Sequence, residues 1–266
     1  MKHSKTALIV ISLILSSLLL VCVYECLLSP PLVISSGSMQ HDENRSELGI
    51  LDTGDLVLLD YEKDPAEIMT YAQSVSSGYS RFGEYGDVIL YQTDLSDIPI
   101  IHRAICRINY DGEGTFSIPE LSLLPSEMWS TASGGWEHLT GMVYLYHVGH
   151  QNVTVPINLD KILKKMGDEP HGGFLTMGDN NLGDSRLGKI GYLDQTSLSA
   201  VDAPISEEEV IGVAAAEIPW AGVLKLTIMD KTSALPLNSI FCFAAVIVGS
   251  CIGSTAIYFI LKKAAS

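Results

Sequence analysis

Positive charge is scarce in this chain. Lys and Arg number 16 against 31 Asp and Glu, a formal net charge of -15 over 266 residues. A nucleic-acid binder needs clustered cations to displace counterions from phosphates, so no nucleic-acid partner is expected. Cysteine is scarce too. Of five, Cys22, Cys26, Cys242 and Cys251 lie in or beside apolar runs, and Cys106 stands alone in the rest. A disulfide framework is therefore excluded there, and the fold must rest on a hydrophobic core, which about 210 residues can supply. Metal-ligand spacing is missing as well. His147 and His150 in "YHVGH" have no cysteine or further histidine to complete a site, so no metal and no cofactor are expected. No internal repeat and no low-complexity tract interrupts the chain.

Two long uncharged runs are present. Thr6 to Tyr24 gives 19 residues without charge, and at ~1.5 Å per residue this reaches roughly 28 Å, about a bilayer core. Ile240 to Leu261 gives 22 more, enough to span with some tilt. The first run is too long for the apolar region of a cleaved signal peptide, and "VYECLLSPPL" offers no small-x-small cleavage site. Lys2 and Lys5 precede the first run and Lys262 and Lys263 follow the second, which places both ends on the cytoplasmic side. The sequence therefore predicts a cytoplasmic N-terminus at 1–5, a transmembrane helix at 6–28, an extracytoplasmic domain at 29–239, a second transmembrane helix at 240–261 and a cytoplasmic tail at 262–266. Every acidic residue but Glu25 falls in the outer domain; acidic side chains translocate readily, so this is compatible with the topology.

The outer domain reads as mainly antiparallel β. "DLVLLDY" (Asp55 to Tyr61), "DVILYQT" (Asp87 to Thr93) and "IPIIHRAICRI" (Ile98 to Ile108) are short, β-branched and bounded by Gly, Pro or Asp. "GMVYLYHV", "NVTVPI", "EEEVIGVAAAEI" and "GVLKLTIM" continue the pattern. Pro65 to Gly86 reads as a loop with a short helix, and "LDKILKKMGDEPHGG" as a helix ending before Gly167. The region of about 109–173 reads as an insertion or small subdomain. Gly54-Asp55 and Gly86-Asp87 repeat a turn before a strand.

Serine catalysis needs a base to take the hydroxyl proton, a group to fix that base, and donors for the developing oxyanion. Ser38, in "SGSM", is a candidate nucleophile. His102, inside a predicted strand, is a candidate base. The run "TMGDNNLGDSRLGKIGYLDQ" offers Asp179, Asp184 and Asp194 as the orienting acid. Taken singly, Ser38 is a turn serine, His102 a strand histidine and "GDNN" a turn.

Taken in order, "SGSM", "GDVILY", "IIHRAI", "MGDNN" and "VIGVAAAEIPWAG" resemble the type I signal peptidase family, across Ser36 to Gly222. His102, where bacterial members carry lysine, selects the archaeal and endoplasmic-reticulum branch with its Ser-His-Asp site. The resemblance implies an antiparallel β-sheet peptidase domain, and removal of signal peptides from exported preproteins after small residues at −3 and −1. It implies Ser38 as nucleophile, His102 as general base, and the Ser38 N–H as an oxyanion donor, with Ser36 at the position whose hydroxyl supplies another in bacterial members. Partners implied are preprotein signal peptides, the lipid bilayer and the protein-export channel. The family's lysine before "GD" is Met177 here.

The family carries two acidic positions, and only the first is fixed, at Asp179. Counting forward from it, the next acid is Asp184, in a "DSR" triplet. Counting back from Val210, the family spacing lands on Asp194, in "YLDQ". About ten extra residues lie between the two counts. Two rival readings remain at this stage: a membrane-anchored binding or scaffold domain without chemistry, and a processing peptidase for another class of surface-protein precursor.

Overall fold

The dipeptide Gly-Asp occurs twice before a strand, and both copies act alike in the computed structural model of the chain. Gly54 and Gly86 take φ of +99° and +82°, a region open chiefly to glycine. A Cβ on Gly86 would also sit 2.6 Å from the backbone nitrogen of Tyr71. The following aspartate then reaches across to a distant loop. Asp55 accepts the N–H groups of Asp52 and Trp220. Asp87 accepts from the Met69 N–H and the Tyr79 hydroxyl and pairs with Lys63. Each turn thus fixes both the start of a strand and what packs beside it.

The structure describes residues 32–42, 44–185, 188–246, 248–249, 260 and 263. Their main feature is a curled antiparallel sheet forming half a barrel. Its strands run in the order Leu32–Val33, Leu56–Asp60, Val210–Ile218, Val88–Tyr91, Ile100–Gly112 and Gly173–Met177, and Thr115–Ser117 pairs with the long Ile100–Gly112 strand. A second sheet orders Leu182–Ser185, Gly188–Gly191, Val153–Asn158, Met142–Val148 and Trp129–Thr131. The 109–173 region supplies three strands of this second sheet, Trp129–Thr131, Met142–Val148 and Val153–Asn158, and the helix Leu159–Met166 that follows them.

Val88–Tyr91 is buried at every position because both faces of the first sheet are covered. Val88 and Leu90 pack with Val57, Leu59 and Ala214 on one side. Ile89 and Tyr91 pack with Ala104, Phe174 and Val213 on the other. The two sheets share a third cluster, in which Ile105 and Ile108 meet Val143, Leu145, Val155 and Ile157.

The expectation of a mainly β, antiparallel domain flanked by two transmembrane helices is corrected here. The domain is mixed α/β. Tyr71–Ser77 is a helix because Thr70 and Gln73 form a reciprocal capping box and Gly78 closes it in the left-handed region. Leu159–Met166 is capped by the Asn158 side chain. "GVLKLTIM", read as a strand, is instead the helix Val223–Ile228. Val223 and Leu226 are buried while Leu224 and Ile228 are exposed, a helical spacing that outweighs the β-branched composition. One strand pair, Val153–Asn158 with Gly188–Gly191, is parallel. No helix among the described residues is long and apolar enough to cross a membrane. The run at 6–28 and the terminus at 1–5 lie outside the described residues, as do much of 240–261 and most of 262–266.

Glu120 ties the 3-10 segment Pro119–Leu123 to the first sheet and to the cap of the helix Tyr71–Ser77. Its buried carboxylate accepts from the Thr70 hydroxyl at 2.7 Å and the Arg107 N–H at 3.0 Å. Burial pushes this carboxyl up to about 7, against the lowering effect of those bonds and the Arg107 charge. The folded value lies above the ordinary one, so the stability it contributes is fully present below about pH 4.5 and is lost as pH rises through about 7. Glu120→Gln keeps an acceptor for both donors and removes the titration. In urea melts of the full chain, the wild type should lose roughly 1–3 kcal/mol more than the variant between about pH 5 and pH 8. Equal losses would show that Glu120 is not the titrating group.

Candidate active site

Ser38 sits in a single 3-10 turn, Gly37–Met39, shortly after the edge strand Leu32–Val33. The residues that follow anchor it. Met39 is buried against Leu51, Val57 and Val88. The side-chain Oε1 of the buried Gln40 accepts from both the N–H and the hydroxyl of Thr53. The Ser38 side chain is left half-buried, its Oγ 2.9 Å from Nε2 of His102. His102 is on the Ile100–Gly112 strand, opposite Ile89, and only 5% exposed. Its Nδ1 lies 2.7 Å from Oδ2 of Asp194, a fully buried residue opening the short helix Asp194–Ser197. A nitrogen facing a carboxylate carries the proton, so the Nε2 lone pair faces the Ser38 hydroxyl.

The three candidate acids occupy different places. Asp194 meets His102. Asp184 lies exposed on the hairpin Leu182–Gly191, paired in register with Lys189, and makes no contact with His102. Asp179 faces the other side of the site, where Arg103 clamps it bidentately at 2.8 and 2.6 Å and Nε2 of His41 lies 3.2 Å away. Burial alone would raise the Asp179 carboxyl, but Arg103 and His41 outweigh it and hold it well below the usual carboxylate range. The hairpin explains why Asp194 stands near Asp179 in space. Tyr192 donates its N–H to the carbonyl of Asn181 at 2.8 Å, closing the hairpin at its stem. The paired strands Leu182–Ser185 and Gly188–Gly191 leave and re-enter the site at one point.

Each residue of "GDNN" has a separate task. A Cβ on Gly178 would lie 2.6 Å from the Ser38 carbonyl oxygen and 2.9 Å from Nε2 of His102, so a side chain there would collide with the site. Asp179 holds Arg103. Asn180 donates from its backbone to the Ser38 carbonyl at 2.8 Å and from its side chain to the Gly37 carbonyl at 3.0 Å. Asn181 donates to Oδ1 of Asp194 at 3.4 Å. Gln195 locks the acid's other flank: its Oε1 accepts the Thr176 N–H, and its Nε2 donates to Thr176 Oγ1 and the Phe174 carbonyl. Sequence reasoning assigned no task to Gly178, Asn180, Asn181, Gln195, Tyr91, Arg103 or His41. The adjacency of the four "GDNN" residues and the "DQ" pair were the available signals.

Ser36 is exposed, with its Oγ 3.2 Å from Ser38 Oγ. Among the described residues the Ser38 N–H has no protein acceptor and is open to an oxyanion, whereas the Ser36 hydroxyl would have to turn away from Ser38 Oγ to join it. A cleft opens beside Ser38 between Gly37, Gln40, Asn180, Asn181 and Leu235. Of the two histidines in "YHVGH", His147 bonds Asn152 and His150 stacks on His41 with ring centres 4.0 Å apart. Burial, then His41, holds His150 below the ordinary histidine value. Among the described residues no group of three His, Cys, Asp or Glu is arranged to hold a metal ion.

No protein-family model and no curated protein matches the chain. The functional reading therefore rests on the geometry and on the sequence motifs.

Gly178→Ala tests whether the turn is built for the site. The added methyl should displace Ser38 or His102 by a few tenths of an ångström or more, slowing labelling by a fluorophosphonate probe roughly 100-fold. Circular dichroism should remain native. Labelling at the wild-type rate would mean that the close approach at Gly178 is irrelevant to reactivity.

Proposed function

We propose that the protein is a serine endopeptidase that removes signal peptides from exported preproteins. The observation that carries this reading is the hydrogen-bonded chain Ser38–His102–Asp194, with spacings of 2.9 and 2.7 Å. The specificity comes from the resemblance of the ordered motifs to type I signal peptidases. The location comes from the two uncharged runs of the sequence: the enzyme works on the extracytoplasmic side of the cell membrane, beside the lipid bilayer and the export channel.

The reaction follows from the chain of contacts. Nε2 of His102 takes the Ser38 proton as Oγ attacks the scissile carbonyl carbon. The Ser38 N–H and the Ser36 hydroxyl donate to the oxygen that gains charge. Asp194 keeps the imidazole in the productive tautomer and stabilises the imidazolium that forms. His102 then gives its proton to the leaving amine, and the acyl group stays on Ser38. Water, activated by the same nitrogen, hydrolyses that ester and restores the serine. A signal peptide's apolar segment lies in the bilayer, so enzyme and cleavage site meet in one plane, which raises their effective concentration.

Cleavage of a model preprotein in lipid separates the roles. Ser38→Ala and His102→Ala should each abolish cutting, because nucleophile and base act as a unit. Asp194→Asn should lower kcat by about 10⁴-fold, as tautomer control is lost, while Asp184→Asn retains wild-type activity. A dead Asp184→Asn beside an active Asp194→Asn would refute the assignment.

Substrate choice is read separately. A preprotein with Ala at −3 and −1 should be cut, and one with a bulky charged −1 residue should resist. Equal rates on the two would point to a protease of broader specificity.

A further inference from the structure

Asp194 has a second partner besides His102. The Tyr91 hydroxyl lies 2.8 Å from the same carboxylate oxygen, Oδ2. Tyr91 is fully buried, two residues along its strand from Ile89, which stands opposite His102. It therefore shares a sheet face with the histidine. Thr176 Oγ1 is 3.1 Å from the Tyr91 hydroxyl, and Gln195 Nε2 is 3.3 Å from Thr176 Oγ1.

The direction of every proton in this chain is fixed by one backbone group. The Thr176 N–H can only donate, and it donates to Gln195 Oε1 at 3.1 Å. That sets the Gln195 amide, whose NH₂ must then face Thr176 Oγ1. Thr176 accepts there and turns its own proton to Tyr91. Tyr91 accepts from Thr176 and turns its proton to Asp194. Burial, then the Asp194 charge, holds the Tyr91 phenol well above its ordinary value, so it stays a donor. Donors aligned in this way polarise one another toward the carboxylate.

We propose that Tyr91 is a positioning residue of this site, and that its hydroxyl, ordered through Gln195 and Thr176, holds Asp194 in place against His102. The inference deepens the serine-endopeptidase reading and rests on it for its kinetic consequence. Asp194 is then held from three sides, by His102 and Tyr91 on Oδ2 and by Asn181 on Oδ1. Without Tyr91 the carboxylate would be held only by His102 on Oδ2 and by the longer Asn181 contact on Oδ1, and its angle to the imidazole would be less closely fixed. Tyr91 touches neither Ser38 nor the cleft, so it acts only through Asp194.

Tyr91→Phe removes the hydroxyl and keeps the ring. In the full chain in detergent, kcat on a model preprotein should fall about tenfold, the worth of one hydrogen bond to a charged group, with KM unchanged. The His102 Nδ1–H proton resonance should also move from its wild-type position. Tyr91→Phe/Thr176→Val leaves no unpaired hydroxyl and is the variant to use if Tyr91→Phe folds poorly; it should show the same shift and a kcat no lower. The resonance reads the tether without any turnover. A moved resonance in a protein whose Ser38 never reacts would retain the tether and remove the peptidase reading. A folded Tyr91→Phe with wild-type kcat and an unmoved resonance would overturn the proposal.

Discussion

The buried pair of Arg103 and Asp179 is the contact on which the site depends. Arg103 is adjacent to His102 in the strand, and Asp179 is adjacent to Gly178 in the turn that follows Gly173–Met177. Joining them presses that turn against the base. From the same turn Asn180 reaches the nucleophile segment and Asn181 reaches Asp194. The other edge of the guanidinium bonds the carbonyls of Arg81 and Gly86, so the small hairpin Ser80–Tyr85 is tied to the same point. A buried ion pair adds little net stability over a well-packed apolar pair, yet losing one partner costs about 3–5 kcal/mol because a charge is stranded. The value of this pair lies in placing four segments around one turn.

Asp194, His102 and Ser38 come from segments that share no sequence neighbourhood, and the sheet supplies the common frame. Ile89 opposite His102, and Arg103 opposite both Val88 and Met177, fix the base within the half-barrel. The short helix carrying Asp194 is fixed differently, by side chains. Gln195 grips Thr176 and Phe174, while Lys165 and Lys161 donate to the carbonyls of Gln195 and Thr196. The helix Leu159–Met166, which follows the second-sheet strand Val153–Asn158, thereby contributes to where Asp194 stands.

The sequence made parts of this legible and hid others for physical reasons. Ser38 and His102 stood out because each lay in a short motif whose order could be compared, and they lie 2.9 Å apart. Four strands of the half-barrel, Leu56–Asp60, Val88–Tyr91, Ile100–Gly112 and Val210–Ile218, were legible from β-branched runs, while the short Leu32–Val33, Thr115–Ser117 and Gly173–Met177 were not. The helices Tyr71–Ser77 and Leu159–Met166 were legible as well, and Val223–Ile228 was not. Val223–Ile228 carries Val, Leu, Thr and Ile, and only its burial spacing distinguishes it from a strand. The flanking transmembrane reading drew on runs that the described residues cover only in small part. Tyr91 was illegible as a site residue because a buried tyrosine in a β-run reads as core until its hydroxyl partner is known. Asn180 and Asn181 read as turn formers because turns favour asparagine whatever else it does.

The hairpin Leu182–Gly191 has a wider consequence. Its stem is closed by the Asn181–Tyr192 hydrogen bond, so the number of residues in it sets neither the position nor the orientation of Asp194. Lengthening a loop whose ends are already joined costs little. A lineage could extend, trim or replace this excursion, and acquire new surface beside the cleft, without moving the residues at its root. Distance along the chain is then a poor guide to which acid serves the histidine, and the residues flanking the stem are the reliable one.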